Sequence, residues 1–207
     1  MLYSRRICYN NGMPKIVDHS ERKLKIAEAT WRVVKQRGIK GVSVRNIAQE
    51  TGLSPGALRH YFPDQDQLLV FVMQVVKDRV TARIQQVYQL DLPPVKKVLG
   101  ILLEMIPTDE ERRTEMEVWF EFTFHMKKAN PDAFDAQHDG IYEGVGRLLA
   151  YLKKEGKLRE ELNLELEAER LYAVLDGLAL HMLLDGARLD SQRARDVLEQ
   201  HLASICQ

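Results

Sequence analysis

Apolar residues recur every three or four positions along almost the whole chain, and nowhere do they alternate with polar ones long enough to mark a strand. Ile26, Ala29, Val33 and Val34 set this period early, and Leu171, Val174, Leu175, Leu178 and Met182 repeat it late. Helices are predicted at about 20–38, 44–51, 55–61, 65–90, 94–106, 109–129, 132–155, 164–185 and 190–205. Thr108-Asp109-Glu110-Glu111 reads as a capping box, and Asp64 with Gln67 resembles one. Asn163 precedes a first turn containing Glu165 and Glu167, where negative charge suits the helix dipole. The 7 prolines fall in the amino-terminal tail, at boundaries or in short turns, so none argues against a helix. The expected fold class is all-α.

Composition narrows this to a globular chain. Of 207 residues 45% are hydrophobic and 29% charged, which excludes a disordered polymer. No apolar run approaches the ~20 residues that span a bilayer, so no membrane partner is expected. The first dozen residues contain no signal-like stretch, and two cysteines supply neither a disulfide framework nor a Cys-rich zinc site. The expected compartment is the cytoplasm.

The formal net charge of zero conceals a division. Residues 1–63 contain 12 Lys/Arg against 4 Asp/Glu, and the remainder 18 against 26. A basic head on an acidic body suggests that the head meets a polyanion. The chain divides into an arm over 1–19, a basic unit over 20–63 expected to bind the polyanion, and an acidic unit over 64–207. The arm has two readings: a dispensable extension ahead of Met13-Pro14, or a basic strand that reaches a groove through Arg5, Arg6 and Lys15.

Two short helices that meet at a sharp angle need particular residues in particular places, and Val44–Tyr61 has them. Ile47 and Leu58 supply the apolar faces, and Ala48 is small enough for a close crossing. Gly52 stands in the turn, where a positive φ is costly for a residue with a Cβ. Ser54 is a favourable N-cap and Pro55 a favourable N1, so the second helix starts with its N-terminus presented outward. This is a helix-turn-helix.

Ser43-Val-Arg-Asn-Ile-Ala-Gln-Glu-Thr-Gly52, then Leu53-Ser-Pro-Gly-Ala-Leu58 and His60-Tyr-Phe62, resembles the signature of TetR-family transcriptional regulators. Helix one, with Ile26-Ala27, Ala29, Val33-Val34 and Gly38, matches as the support of the motif, so the resemblance spans about residues 20–70. Val174-Leu-Asp-Gly-Leu-Ala-Leu-His181 and Leu183-Leu-Asp185 are similar, more loosely, to the carboxy-terminal domain of the betaine-pathway regulator branch. The resemblance implies that Arg45 and Arg59 read base edges, because guanidinium forks pair with guanine O6 and N7. It implies phosphate contacts from Ser43, Ser54, His60 and Tyr61, and close approach at Gly56 and Ala57, with Ala57 able to touch a thymine methyl. Two positions depart from the pattern. Arg59 stands where the family often has Tyr, and Gln65, flanked by Asp64 and Asp66, where it usually has Lys.

For the body, the resemblance implies a small-molecule effector of unknown identity and a homodimer. In the helix over 109–129, Trp119, Phe122 and Met126 share one face, Phe120 and Phe124 another. A helix apolar on two sides is buried or lines a cavity. The candidate ligand-binding residues are Trp119, Phe122, His125 and Met126, with plain core as the alternative. Carboxylates at Glu115, Glu117 and Glu121 beside these aromatics would suit a cationic ligand, or simply face water. Leu171, Leu175, Leu178 and Met182, with Val197, Leu198, Leu202 and Ile205, are the candidate dimer interface, and burial within one subunit is the alternative. In the resembled family the last two helices pair with their copies in a four-helix bundle.

Catalytic signatures are missing: no Gly-rich phosphate loop, no H-E-x-x-H and no G-x-S-x-G. No cofactor and no metal are expected. The function read from the chain is a sequence-specific regulator binding double-stranded operator DNA, a ligand-released repressor dimeric on a palindrome. The alternatives are an architectural DNA binder or an all-helical enzyme.

Overall fold

Periodicity is realised as helix throughout a computed structural model that describes residues 19–129 and 131–207. Its helices are α1 (His19–Arg37), α2 (Val44–Thr51), α3 (Pro55–Tyr61), α4 (Gln65–Gln89), α5 (Pro94–Leu103), α6 (Glu110–Ala129), α7 (Pro131–Lys154), α8 (Leu164–Leu184) and α9 (Ser191–Ile205). The predicted arm lies outside the described residues except for His19, which opens α1. A single 3-10 turn at Ile39–Gly41, not expected from the pattern, joins α1 to α2. Gly41 is needed there because an added Cβ would sit 2.3 Å from the Cβ of Arg37.

Caps explain most starts. Asn163 Oδ1 accepts from the backbone N–H groups of Glu165 and Leu166 at 3.1 and 3.3 Å, as expected for α8. Asp64 Oδ1 accepts from Gln67 N at 2.8 Å, but the Gln67 amide donates to the other Asp64 oxygen instead of reaching back to the backbone. The predicted box at Thr108 gives way to a simple cap one residue later. Asp109 is the cap, accepting from Arg112 N at 2.9 Å, while the Glu111 carboxylate is drawn away to Arg79.

Two apolar clusters form. The first joins Ile26, Trp31, Val34, Ile47, Leu58 and Phe62 to one face of α4, from Leu68 to Val76, and to Val118, Phe122 and Met126 of α6. The second packs α5, α7, α8 and α9 together through Val98, Leu102, Leu149, Leu171, Leu198 and Ile205, among others. α4 therefore belongs to both halves. Its first turns close the core of the head, and its later turns, through Ile84 and Val87, lie against the body.

Candidate nucleic-acid interface and effector cavity

The helix-turn-helix is held by its own caps. Ser43 Oγ accepts from Asn46 N at 3.2 Å, and the Asn46 amide donates to Gly41 O at 2.7 Å, tying α2 to the preceding turn. Gly52 ends α2 at φ 70°, ψ 15°, the left-handed conformation that the sequence argument required. Leu53 N then donates back to Ala48 O at 3.1 Å. Ser54 Oγ accepts from Ala57 N at 3.1 Å and Pro55 occupies the first turn, which starts α3. Ile47, Ala48 and Leu58 are buried, so the angle between α2 and α3 is set by packing as well as by the turn.

What remains outside this packing is the candidate DNA surface. Arg45, Ser54, Gly56, Arg59 and His60 are exposed, and Ser43, Ala57 and Tyr61 are half-buried. The Tyr61 and His60 rings meet edge to face, with centroids 6.1 Å apart. Tyr61 also leans towards Phe62, whose ring packs on Phe71 of α4 at 4.7 Å. Each capping serine uses its oxygen as an acceptor, and a hydroxyl can donate at the same time. A Cβ added at Gly56 would come no closer than 3.9 Å to Ser54 Oγ, so nothing inside the chain calls for glycine there. Gly56→Ala is therefore expected to hold or raise the melting temperature, by up to about 1 kcal/mol of helix propensity, while weakening operator binding. Thermal melts beside operator titrations check this. A variant that binds operator unchanged would show that no body approaches Gly56 closely.

Behind the head, α4, α5, α6 and α7 line a partly open cavity of about 560 Å³. Val80, Ile84, Met105, Ile106, Met116, Trp119, Ile141 and Leu148 make most of its wall, with Tyr88 and Tyr151 at one side. Of the four expected ligand-binding residues only Trp119 lines it. Phe122 and Met126 are buried in the head's core, because α6 turns that face towards α1 and α4. His125 is exposed and points to Asp66, 3.4 Å away. Met116, one turn before Trp119, is the cavity residue that the aromatic pattern concealed.

The carboxylates expected to attract a cation are differently engaged. Glu117 and Glu121 are exposed, and Glu117 pairs with Arg113 at 3.5 Å. Glu115 is buried in the cavity wall, and both of its oxygens are held by arginines of α4. Oε1 accepts from Arg79 Nε at 3.1 Å and Arg83 Nη1 at 2.9 Å, and Oε2 from Arg83 Nη2 at 2.5 Å. Arg83 Nε reaches Glu104 at 2.8 Å, and Glu104 also accepts from Arg112 Nε at 2.9 Å. Burial opposes the charge of Arg83, but its bonds to Glu115 and Glu104 outweigh this and hold it firmly protonated. Lys77, also in the wall, has its pKa lowered by burial.

The expected interface stripes are mostly internal. Leu171, Leu175, Leu178, Met182, Leu198, Leu202 and Ile205 are buried within a single chain, where they complete the second cluster. Only Val197 of that set is exposed. The apolar surface lies on the opposite side of α8, with Leu166 and Leu184 exposed by 64% and 71% and Leu180 by 37%. Ala173 is exposed on the same stripe, and Gly177 has open space where a Cβ would stand.

Among the described residues no helix is long and apolar enough to cross a membrane, and no group of three or more His, Cys, Asp or Glu is placed to hold a metal. A capped three-helix head on an all-helical body that holds a cavity defines a helix-turn-helix transcriptional regulator. Residues 26–71 match the family described as bacterial regulatory proteins, tetR family, and residues 94–207 match the BetI-type transcriptional repressor, C-terminal family. The chain belongs to the TetR family of transcriptional regulators. It is 54% identical over 194 residues to the HTH-type transcriptional regulator PksA of Bacillus subtilis (strain 168), covering 94% of each chain. A transcriptional regulator from Rhodococcus sp. Rha1 shares the fold with a TM-score of 0.70 at 25% identity, over 88% of this chain and 95% of that one. The multidrug binding protein EbrR, solved with imidazole, matches with a TM-score of 0.59 at 29% identity, over 87% and 94%.

Proposed function

We propose that this regulator is a cytoplasmic homodimer that represses from a palindromic operator and is released by a small molecule in the α4–α7 cavity, without enzymatic turnover. The observation that carries this reading is the double role of α4. Leu68, Leu69, Val72 and Met73 seal the core of the head, and Val80, Thr81, Ile84 and Tyr88 of the same helix face the cavity. A rigid helix shared in this way transmits a change in cavity width to the head, and a two-fold pair of heads about 34 Å apart matches successive major grooves.

Arg45 and Arg59 are assigned to base edges, and Ser43, Ser54, His60 and Tyr61 to phosphates; the support is their exposure around the start of α3. The effector is assigned a largely apolar character. Most of the wall is aliphatic or aromatic, and the carboxylates of Glu115 and Glu104 are already bonded to arginines, so a cation would rest on the ring faces of Trp119, Tyr88 or Tyr151 and not on a free carboxylate. That EbrR is a multidrug binding protein solved with imidazole supports a small-molecule ligand for this chain too.

Footprinting on DNA flanking its own gene, at stated salt and with candidate ligands, tests the reading. A cavity ligand is expected to raise the melting temperature, because it binds only the folded state, and to release DNA in the same titration. Trp119→Ala should change the ligand's affinity while the unliganded variant still protects the operator. A ligand that stabilises the protein and leaves the footprint intact would deny the cavity a regulatory role.

A further inference from the structure

One arginine of α4 touches both halves of the molecule. The Arg79 guanidinium lies over the Trp31 ring of α1, 4.5 Å from its centroid. Its Nε donates to Glu115 Oε1 at 3.1 Å, and its Nη2 to Glu111. We propose that Arg79 is the positioning residue through which filling of the cavity reaches the recognition helix. The proposal rests on the cavity being an effector site and names the residue that carries its signal.

The path is continuous on both sides of Arg79. Towards the cavity, Glu115 forms part of the wall and is 3% exposed. Its second oxygen is gripped by Arg83, which also holds Glu104, another wall residue. A molecule that bonds the Glu115 carboxylate, or that is larger than the open space between α4 and α6, turns that carboxylate or separates these helices. Either motion draws Arg79 away from the indole, and the attraction between a cation and a ring fades beyond about 6 Å. Towards the DNA, Trp31 belongs to the core of the head. The next residue, Arg32, pairs with Glu50 of α2 at 2.7 Å, two positions before the Gly52 turn that aims α3.

Two features favour this route over simple packing. Val118, Phe122 and Met126 also join α6 to the head, but apolar contact is non-directional and tolerates sliding. A guanidinium that binds two carboxylates at its edge and an indole on its face holds one registry. In addition, Trp31 Nε1 is buried without a hydrogen-bond partner. A displaced indole can satisfy that donor, which offsets part of the cost of leaving the engaged arrangement.

The test measures coupling with a defined probe, the uncharged dye N-phenyl-1-naphthylamine, titrated into the full-length protein with and without operator duplex. Operator is expected to weaken dye binding by at least about five-fold in the wild type. Arg79→Met keeps an apolar stem and leaves Glu115 bonded to Arg83, and it should cut that factor below about two-fold while each ligand still binds alone. An unchanged factor in Arg79→Met would overturn the proposal and leave the effector reading standing. Dye that binds the wild type without any response to operator would overturn both.

A double-mutant cycle of Trp31→Leu and Glu115→Gln on operator affinity needs no cavity ligand, and it decides the matter if the dye does not bind or Arg79→Met does not fold. The second substitution should change affinity by less than about two-fold once the first is present. Fully additive effects would show that Arg79 carries no signal between them.

Discussion

Leu184→Glu is expected to give a folded monomer whose operator affinity is lower by about 10²–10⁴-fold, the factor lost when two linked heads become independent. The argument rests on which leucines of α8 are free. Leu166, Leu180 and Leu184, spaced by fourteen and four residues, form an exposed apolar stripe with Ala173 and Gly177 between them, and Val197 of α9 is exposed as well. Exposed leucines aligned along one helix face fit a contact surface, and the small residues between them allow two helices to approach closely. In a two-fold contact, one substitution puts two glutamates into the interface. Because Leu184 is 71% exposed in the single chain, its replacement leaves the subunit's own core intact. Leu178→Glu or Leu202→Glu should behave differently. Both side chains are buried in the second cluster, so a charge there unfolds the subunit. Sedimentation at micromolar concentration, circular dichroism melts and operator titrations separate the two outcomes. A Leu184→Glu protein that still sediments as a dimer would place the interface elsewhere.

Arg59→Ala should cost about 1–3 kcal/mol per half-site and relax discrimination at one base position. On a palindrome bound by two copies the cost is incurred twice. Arg59 is exposed on α3, one residue after the buried Leu58, so its loss removes no packing and the melting temperature should not move. Tyr61→Phe removes a neutral donor and should weaken all sequences alike with little change in salt slope. Gln65→Lys adds a cation at the start of α4. It should strengthen specific and non-specific binding together and steepen the salt dependence by about one phosphate per subunit. The neighbouring carboxylates of Asp64 and Asp66 keep their charge while bonded to Gln67 N and beside His125, so they reduce the gain in affinity and the direction of the salt slope is the sharper readout. Titrations on operator and scrambled duplex at several salt concentrations check all three. If Arg59→Ala weakened both duplexes equally, Arg59 would be a phosphate clamp.

Much of the head was legible because its determinants are local. Ser43, Gly52, Ser54 and Pro55 act on backbone groups within a few residues, so their spacing is enough to place α2, the turn and α3. The same holds for the cap at Asn163 and for the helical period of the long helices. The 3-10 turn at Ile39–Gly41 escaped because three residues are too few to show a period.

The faces of the helices were a different matter. α8 bears leucines on both sides, so periodicity alone did not say which side enters the subunit and which stays outside. Packing against α7 and α9 decided it, burying Leu171, Leu175 and Leu178 and leaving Leu180 and Leu184 out. Likewise α6 is apolar on two faces, and only its position between head and body sends Phe122 and Met126 to one side and Met116 and Trp119 to the cavity. Ion pairs of Arg83 with Glu104 and Glu115 in that wall join residues more than twenty positions apart. Charge pairing at that range leaves no mark in spacing. By itself the sequence determined the all-helical class and the reading head, because short-range backbone geometry controls both. Tertiary structure alone decided the contents of the cavity wall and the outward face of α8, because those depend on which surfaces compete for burial.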